Sequence, residues 1–211
     1  MKHQDLFASI YATPDEYSRI GGQSTETLDY RIYSGPDSLI LACGGTIGRI
    51  WPPSRDWLID FEFWKTQFRK GKYAEAGFMS EATEIGHDFF QHVEANSPKI
   101  VYLVGFSKGG AHVAILFDLM MTIYPGLEIH GVTCGAPRAL ATESVDGFDY
   151  HYWLGKSTFH RYFIIGDPVP HLPPAIFGYK HFGQEVRLPF MWPWKAHSYQ
   201  NYLNDLRGFD R

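Results

Sequence analysis

A single serine, Ser107, lies between two glycines in the segment GFSKG at positions 105–109. The apolar run IVYLV precedes it at 100–104, and a helical pattern follows at 109–123. A strand that passes through a sharp glycine-lined turn into a helix is the setting of a nucleophile elbow, which presents a serine hydroxyl to a substrate. We therefore predict that Ser107 is a nucleophile. The alternative is a serine that only caps the helix in a flexible turn.

The flanking residues of the turn fit the same interpretation. A nucleophile elbow holds its serine in a strained backbone conformation, and side chains at Gly105 and Gly109 would collide with the strand and the helix. The turn also aims the backbone N–H of Lys108 at the point where an oxyanion would develop. Lys108 is therefore a candidate oxyanion donor through its main chain.

A nucleophilic serine needs a histidine to accept its proton, and the histidine needs an acid that fixes its tautomer. The chain order expected in such a fold is serine, acid, histidine. Asp167 is the best candidate acid because it follows the apolar strand pattern RYFIIG, where loops gather at the carboxyl edge of a parallel sheet. The alternative is a turn aspartate before Pro168. Asp146 and Asp149 compete less well, because their segment does not look like the end of a core strand.

Three histidines follow Asp167 in the chain: His171, His181 and His197. His171 is too close in sequence to fold back onto the acid while it faces Ser107. His181 precedes the short apolar run QEVRL and would point along it. His197 follows that run, in a loop that can return across the sheet edge, so we predict it as the base. Its alternative is a histidine that starts a short C-terminal helix.

Other patterns predict the elements that position these side chains. Apolar or alternating runs predict strands at 28–33, 38–43, 100–104, 129–134, 161–166 and, at the sheet edge, 184–188. Helical spacing predicts helices at 56–69, 80–97 and 109–123. Alternating strands and helices predict an α/β fold with a mainly parallel central sheet flanked by helices. Without repeats or linkers, one domain is expected over residues 1–211.

Composition narrows the function classes. The formal net charge is −4 and no block of Lys or Arg is present, which argues against nucleic acid as a main partner. No apolar run approaches the roughly 20 residues that span a bilayer, and the first residues lack the apolar core of a secretory signal. A cytoplasmic location, with release by lysis, is therefore expected. The histidines and cysteines show no metal-ligand spacing, so neither a metal nor a cofactor is expected, and Cys43 and Cys134 are expected to be free buried thiols.

From about Ser38 to Tyr202 the chain resembles the class 3, or fungal-type, lipases. VGFSKGG resembles their serine elbow, and CGAPR their Gly-Ala-Pro-Arg turn. GDPVPHLPP is similar to their acid segment, GYKHFGQEVRL to the stretch before their catalytic histidine, and CGGTIGRIWPPSRDWLIDF to their oxyanion loop. The resemblance implies an α/β-hydrolase fold, and it implies that Thr46 supplies the second oxyanion donor.

The chain also departs from the family pattern around the elbow. The family usually has His before the serine and an apolar residue after it, where this chain has Phe106 and Lys108. Gly44 stands where the family has an arginine. Lys108 could contact an acidic group of a substrate, and the alternative is a lysine paired at the surface.

Two tryptophan-containing segments suggest a substrate pocket beside Ser107. One follows the oxyanion loop and the other precedes His197. The candidate pocket residues are Trp51, Trp57, Phe106, Met191, Trp192 and Trp194. The alternative is that both segments are core packing.

Together these features predict a carboxylic ester hydrolase that works through an acyl-enzyme. Its expected substrate is a small-molecule or lipid ester, with transient contact to a membrane or lipid surface. Acyl transfer with the same triad is one alternative. A catalytically silent binding or structural protein on a hydrolase fold is another, because a fold does not fix a function.

Overall fold

The computed structural model describes residues 1–25, 27–45, 64–146 and 155–209. The strands in these ranges are β1 Ser18–Ser24, β2 Asp29–Gly35, β3 Ser38–Cys43, β4 Lys65–Arg69, β5 Lys72–Glu75, β6 Ile100–Phe106, β7 Glu128–Cys134, β8 Leu140–Ala141, β9 Thr158–Ile164, β10 Tyr179–Lys180 and β11 Gln184–Leu188. The helices are α1 His3–Ala8, α2 Ala76–Asn96, α3 Lys108–Ile123, α4 Thr142–Asp146, α5 Pro193–Ala196 and α6 Tyr199–Phe209.

Seven of these strands form one central sheet in the order β1-β2-β3-β6-β7-β9-β11. The pairs from β3 onward are parallel, and β1 and β2 join antiparallel. The parallel strands β3 and β6 are almost wholly apolar because helices cover both faces of the sheet. The predicted fold, a mainly parallel sheet flanked by helices, is confirmed, and so is the edge position of β11.

A second, four-stranded sheet has the order β10-β8-β5-β4. It corrects the helix predicted at 56–69, of which positions 56–63 lie outside the described residues. Lys65–Arg69 is a strand that pairs with Lys72–Glu75 across a two-residue turn. Gly71 adopts a φ of +72° in this turn, as a tight hairpin requires, and half-buried Thr66 lies between exposed Lys65 and Gln67 in the strand.

The two faces of the central sheet carry two apolar clusters. Helices α2 and α3 cover one face, and α1 and α6 cover the other. Helix α2 begins before the predicted Ser80, because the Glu75 carboxylate accepts a hydrogen bond of 2.7 Å from the N–H of Phe78 and caps the helix there. No helix among the described residues is long and apolar enough to cross a membrane. Cys43 and Cys134 are buried free thiols, as predicted.

Candidate active site

Ser107 occupies the junction between β6 and α3. Its φ of 54° and ψ of −126° place a non-glycine residue in a sparsely populated conformation, which costs about 1–3 kcal/mol. The junction is fixed on both sides. The N–H of Ser107 donates to the carbonyl of Cys134 at 3.0 Å, and the N–H of Gly110 donates to the carbonyl of Ser107 at 2.9 Å. The predicted strand–turn–helix setting is therefore present.

Close backbone approach explains the two glycines of the turn. A Cβ on Gly109 would collide with the carbonyl oxygens of Cys43 and Gly44 at the end of β3. A Cβ on Gly105 would collide with the backbone of Gly109. Only glycine allows the start of α3 to pack this closely on the sheet.

The structure brings the three predicted residues Ser107, His197 and Asp167 together. His197 Nε2 lies 2.8 Å from Ser107 Oγ, and His197 Nδ1 lies 2.8 Å from Asp167 Oδ2. Ser107 is 1% exposed and Asp167 is fully buried. This arrangement holds the imidazole with one nitrogen facing the hydroxyl and the other facing the acid, which is the geometry of a serine nucleophile with its base.

Asp167 has two further partners. Its Oδ1 accepts a hydrogen bond of 2.9 Å from the N–H of Val169, and its Oδ2 accepts one of 2.6 Å from the hydroxyl of Tyr202. The same hydroxyl accepts a hydrogen bond of 3.0 Å from the N–H of Ile164. Burial, together with the charge of Asp167, holds the pKa of Tyr202 well above its usual range, so the phenol remains a donor.

The sequence analysis did not identify Tyr202. Its sole sequence signal is a position five residues after His197, in the helix α6 that packs against the sheet. Chemical type alone could not select it among the other tyrosines of the chain.

The competing triad candidates lie elsewhere. His181 Nε2 donates to the carbonyl of Pro170 at 2.8 Å, and the carbonyl of His171 accepts a hydrogen bond from Arg138. Asp146 pairs with Lys180 at 2.5 Å on the surface. Asp149 lies outside the described residues. Among the described candidates, Asp167 and His197 are therefore joined to Ser107 by a series of hydrogen bonds, and the other candidates are not.

Phe106 lies behind the histidine. It is 7% exposed, and its ring stacks on the His197 imidazole with centroids 5.1 Å apart and planes inclined by 20°. Phe7, Tyr199 and Tyr202 contact the same ring edge-on. Phe106 was predicted to line a substrate pocket, and the structure encloses its ring in the core against the imidazole of the base.

The two candidate oxyanion donors are the backbone N–H groups of Lys108 and Thr46. Lys108 is the first residue of α3, where backbone N–H groups have no partner within the helix and the helix dipole favours negative charge. Thr46 lies outside the described residues. Its neighbour Gly45 lies beside Phe106 and Ser107, since a Cβ there would come within 3.1 Å of the Ser107 Cβ. The end of β3 therefore reaches the nucleophile.

Of the other candidate pocket residues, the structure describes those that precede His197. Trp51 and Trp57 lie outside the described residues. Met191 is partly buried against the apolar cluster of α1 and α6. Trp192 and Trp194 are 60% and 55% exposed, and their rings stack with centroids 5.2 Å apart. They therefore lie on the surface and not in the core.

The described part of the chain contains no group of three or more His, Cys, Asp or Glu side chains arranged to hold a metal ion. The chemistry that its polar side chains can perform at this site is nucleophilic attack by an activated serine, assisted by a histidine base and backbone N–H groups.

Comparison with known proteins identifies relatives of the chain. The family model described as lipase (class 3) matches residues 49–177. Lipases of Rhizopus niveus and Rhizopus oryzae are each 30% identical over 123 residues, which is 55% of this chain and 30% of each relative. The chain thus spans about a third of the length of these curated relatives.

Solved structures share the fold. The lipase of Rhizopus microsporus var. chinensis superposes with a TM-score of 0.65 at 25% identity, over 82% of this chain and 61% of that one. The triacylglyceride lipase of Rhizomucor miehei superposes with a TM-score of 0.65 at 22% identity, over 88% of this chain and 77% of that one.

Proposed function

The chain belongs to the class 3 lipase family, and from that premise we propose that it hydrolyses carboxylic esters through an acyl-enzyme formed on Ser107. The observation that supports this most strongly is the hydrogen-bonded series from Ser107 Oγ through His197 to Asp167 Oδ2. It occurs at a strained strand–turn–helix junction of the kind that presents a serine to a substrate carbonyl.

In the proposed reaction, Ser107 Oγ attacks the ester carbonyl while His197 Nε2 takes its proton. The tetrahedral intermediate collapses, the C–O bond to the alcohol breaks, and His197 returns the proton to the leaving oxygen. A water molecule then attacks the acyl-serine with the same histidine as base, which releases the acid and restores the hydroxyl of Ser107. Asp167 orients the imidazole and stabilises its protonated form.

The negative charge of the intermediate requires donors that are fixed before the reaction. The backbone N–H of Lys108 at the start of α3 is one proposed donor, and the N–H of Thr46 is the second. Each donor of this kind is worth about 3 kcal/mol in the transition state.

The proposed substrate class is a lipid ester or a small ester, reached by transient contact with a lipid surface. An exposed group of aromatic rings supports this contact. Phe190, Trp192 and Trp194 are each more than half exposed. The Trp192 ring contacts both the Phe190 ring and the Trp194 ring. We call these three residues the aromatic surface. Helix α5, which carries Trp194 together with Lys195, ends one residue before His197. Tryptophan and lysine side chains favour the boundary between headgroups and acyl chains.

A panel of p-nitrophenyl esters from acetate to palmitate tests the proposal, on the wild type, Ser107→Ala and His197→Ala. We expect turnover by the wild type and losses of about 10³-fold or more in both variants. Competition between water and an added alcohol separates hydrolysis from acyl transfer. A folded wild type that turns over no ester of the panel, with or without detergent, would contradict the proposal and favour a silent binding protein.

A further inference from the structure

A charged cluster lies beside the nucleophile, at the positions where the elbow departs from the family pattern. Lys108 follows Ser107, and His112 lies one turn later on the same face of α3. Glu81 on α2 faces both of them. The proposed hydrolysis assigns a role to the main chain of Lys108 and none to its side chain.

The Lys108 side chain is held from two directions. Its Nζ donates to the carbonyl of Thr27 at 2.5 Å, and it lies 3.0 and 2.9 Å from the two carboxylate oxygens of Glu81. The same Glu81 carboxylate lies 2.8 Å from His112 Nε2. These contacts connect the first two turns of α3 to α2 and to the turn before β2.

Burial makes this cluster more than a surface ion pair. The His112 side chain is 3% exposed, and the Lys108 and Glu81 side chains are 21% and 28% exposed. Burial lowers the pKa of His112, which favours the neutral ring. Burial alone would raise the pKa of Glu81, but its contacts with His112 and Lys108 outweigh that effect and hold the pKa below its usual range. Glu81 is therefore an ionised carboxylate that accepts a hydrogen bond from Lys108 through Oε1 and lies close to His112.

The alternative role for Lys108, contact with an acidic group on the substrate, is less compatible with these distances. Its ammonium already has a carbonyl and a carboxylate as partners. A second anion at the ammonium would lie near the Glu81 carboxylate and be repelled by it.

We infer that Glu81 is a positioning residue, which fixes the Lys108 side chain and thereby the direction of the Lys108 N–H toward the oxyanion. This inference rests on the proposed hydrolysis. Such positioning is needed because the strained backbone at Ser107 keeps its conformation only when surrounding contacts hold the residues on both sides of the turn. The Ser107 side of the turn has two backbone hydrogen bonds. On the Lys108 side, the Glu81 carboxylate and the carbonyl of Thr27 hold the side chain.

The test compares Glu81→Gln, Lys108→Met, the double variant and Lys108→Arg by kcat and KM for p-nitrophenyl butyrate. Rates are normalised to active sites titrated with a fluorophosphonate, so that unfolded protein does not count. Asp37→Asn is the matched control, since Asp37 and Lys99 form an exposed pair at 2.9 Å at the far end of β6.

Displacing an oxyanion donor costs less than removing it, so we expect Glu81→Gln and Lys108→Met each to lower kcat about tenfold, with KM changed less than about twofold. The double variant should be no slower than the slower single variant, because both changes remove one interaction. Lys108→Arg should recover most of the rate, and Asp37→Asn should match the wild type.

Three results would overturn the inference: unchanged kcat per titrated site in Glu81→Gln, losses that multiply in the double variant, or an equal loss in Asp37→Asn. Each leaves the proposed hydrolysis intact, provided that the wild type reacts with the fluorophosphonate and turns over the ester. A folded wild type that does neither overturns both proposals.

Discussion

The hydroxyl of Tyr202 donates a hydrogen bond of 2.6 Å to Asp167 Oδ2, the same oxygen that lies 2.8 Å from His197 Nδ1. Both groups are buried, so no water competes for this oxygen. The phenol therefore fixes the carboxylate at the angle that the imidazole needs. It also connects α6 to the end of β9 through the N–H of Ile164.

Tyr202→Phe removes this hydroxyl without removing the ring. We expect kcat for an ester to fall about tenfold, because the acid loses a charge-assisted hydrogen bond of about 1.5–3 kcal/mol, only part of which reaches the transition state. Steady-state kinetics at a fixed pH, normalised to titrated active sites, measure the effect.

Tyr199→Phe is the control for that variant. Tyr199 lies in the same helix, but its hydroxyl donates to the carbonyl of Phe7 at 3.2 Å and not to the acid. A similar loss of kcat in both variants would show that Tyr202 only stabilises the helix.

His181 gives a prediction for stability as a function of pH. Burial first, and then the charge of Arg161, lower the pKa of His181 to about 3. An unfolded chain binds this proton near pH 6.5. Between these two values the unfolded state binds more protons than the folded state, so the free energy of unfolding falls as the pH decreases from about 6.5 toward 3.

His181→Gln keeps a donor for the carbonyl of Pro170 and removes the titration. We expect its free energy of unfolding to fall less steeply below pH 6.5 than that of the wild type, by up to about 1.4 kcal/mol per pH unit. Urea unfolding at pH 7.5, 6.0 and 4.5 measures the difference. Parallel curves for the two proteins would contradict the assignment of a neutral, half-buried imidazole.

The aromatic surface gives a prediction for lipid contact. Replacing Trp192 and Trp194 together by serine should lower the affinity for lipid vesicles, measured by co-sedimentation, about tenfold or more. Burial of the apolar area of each indole contributes on the order of 1.5 kcal/mol to this affinity. Turnover of a water-soluble acetate ester should change little. Ile123→Ser is the control, since Ile123 is 50% exposed at the end of α3 far from Ser107. Equal vesicle binding by the wild type and the double variant would remove lipid contact from the role of this surface.

The elbow glycines give a prediction for stability and activity together. Gly109→Ala places a methyl group against the carbonyls of Cys43 and Gly44, so the backbone must shift. We expect a loss of about 2 kcal/mol or more in the free energy of unfolding, and loss of ester turnover. Gly126→Ala is the control because a Cβ there meets nothing within 4 Å. An active and stable Gly109→Ala would contradict the close approach of α3 to β3.

Much of the candidate site could be predicted because its signals are local. A glycine-flanked serine between a strand and a helix, an aspartate just past a later core strand and a histidine after the edge strand each carry a pattern of their own. The fold class follows from the same alternation of strands and helices. These signals locate Ser107, Asp167 and His197 without knowledge of which side chains touch.

The features that sequence could not supply depend on contacts between distant segments. The segment 56–69 mixes apolar and charged residues and was predicted as a helix, whereas pairing with Lys72–Glu75 makes Lys65–Arg69 a strand. Nothing in the sequence indicates that the Phe106 ring stacks on His197. Trp192 and Trp194 have the composition of a core, and only the course of α5 places them on the surface. Tertiary packing decides each of these cases.

The most direct measurement is intact mass after treatment with a fluorophosphonate, on the wild type and on Ser107→Ala. The proposed function predicts one covalent adduct on the wild type and none on the variant, because only a serine activated by His197 reacts. A folded wild type without an adduct, both in buffer and in detergent, would contradict the claim that Ser107 is a nucleophile. An adduct that persists on Ser107→Ala would place the reactive group elsewhere.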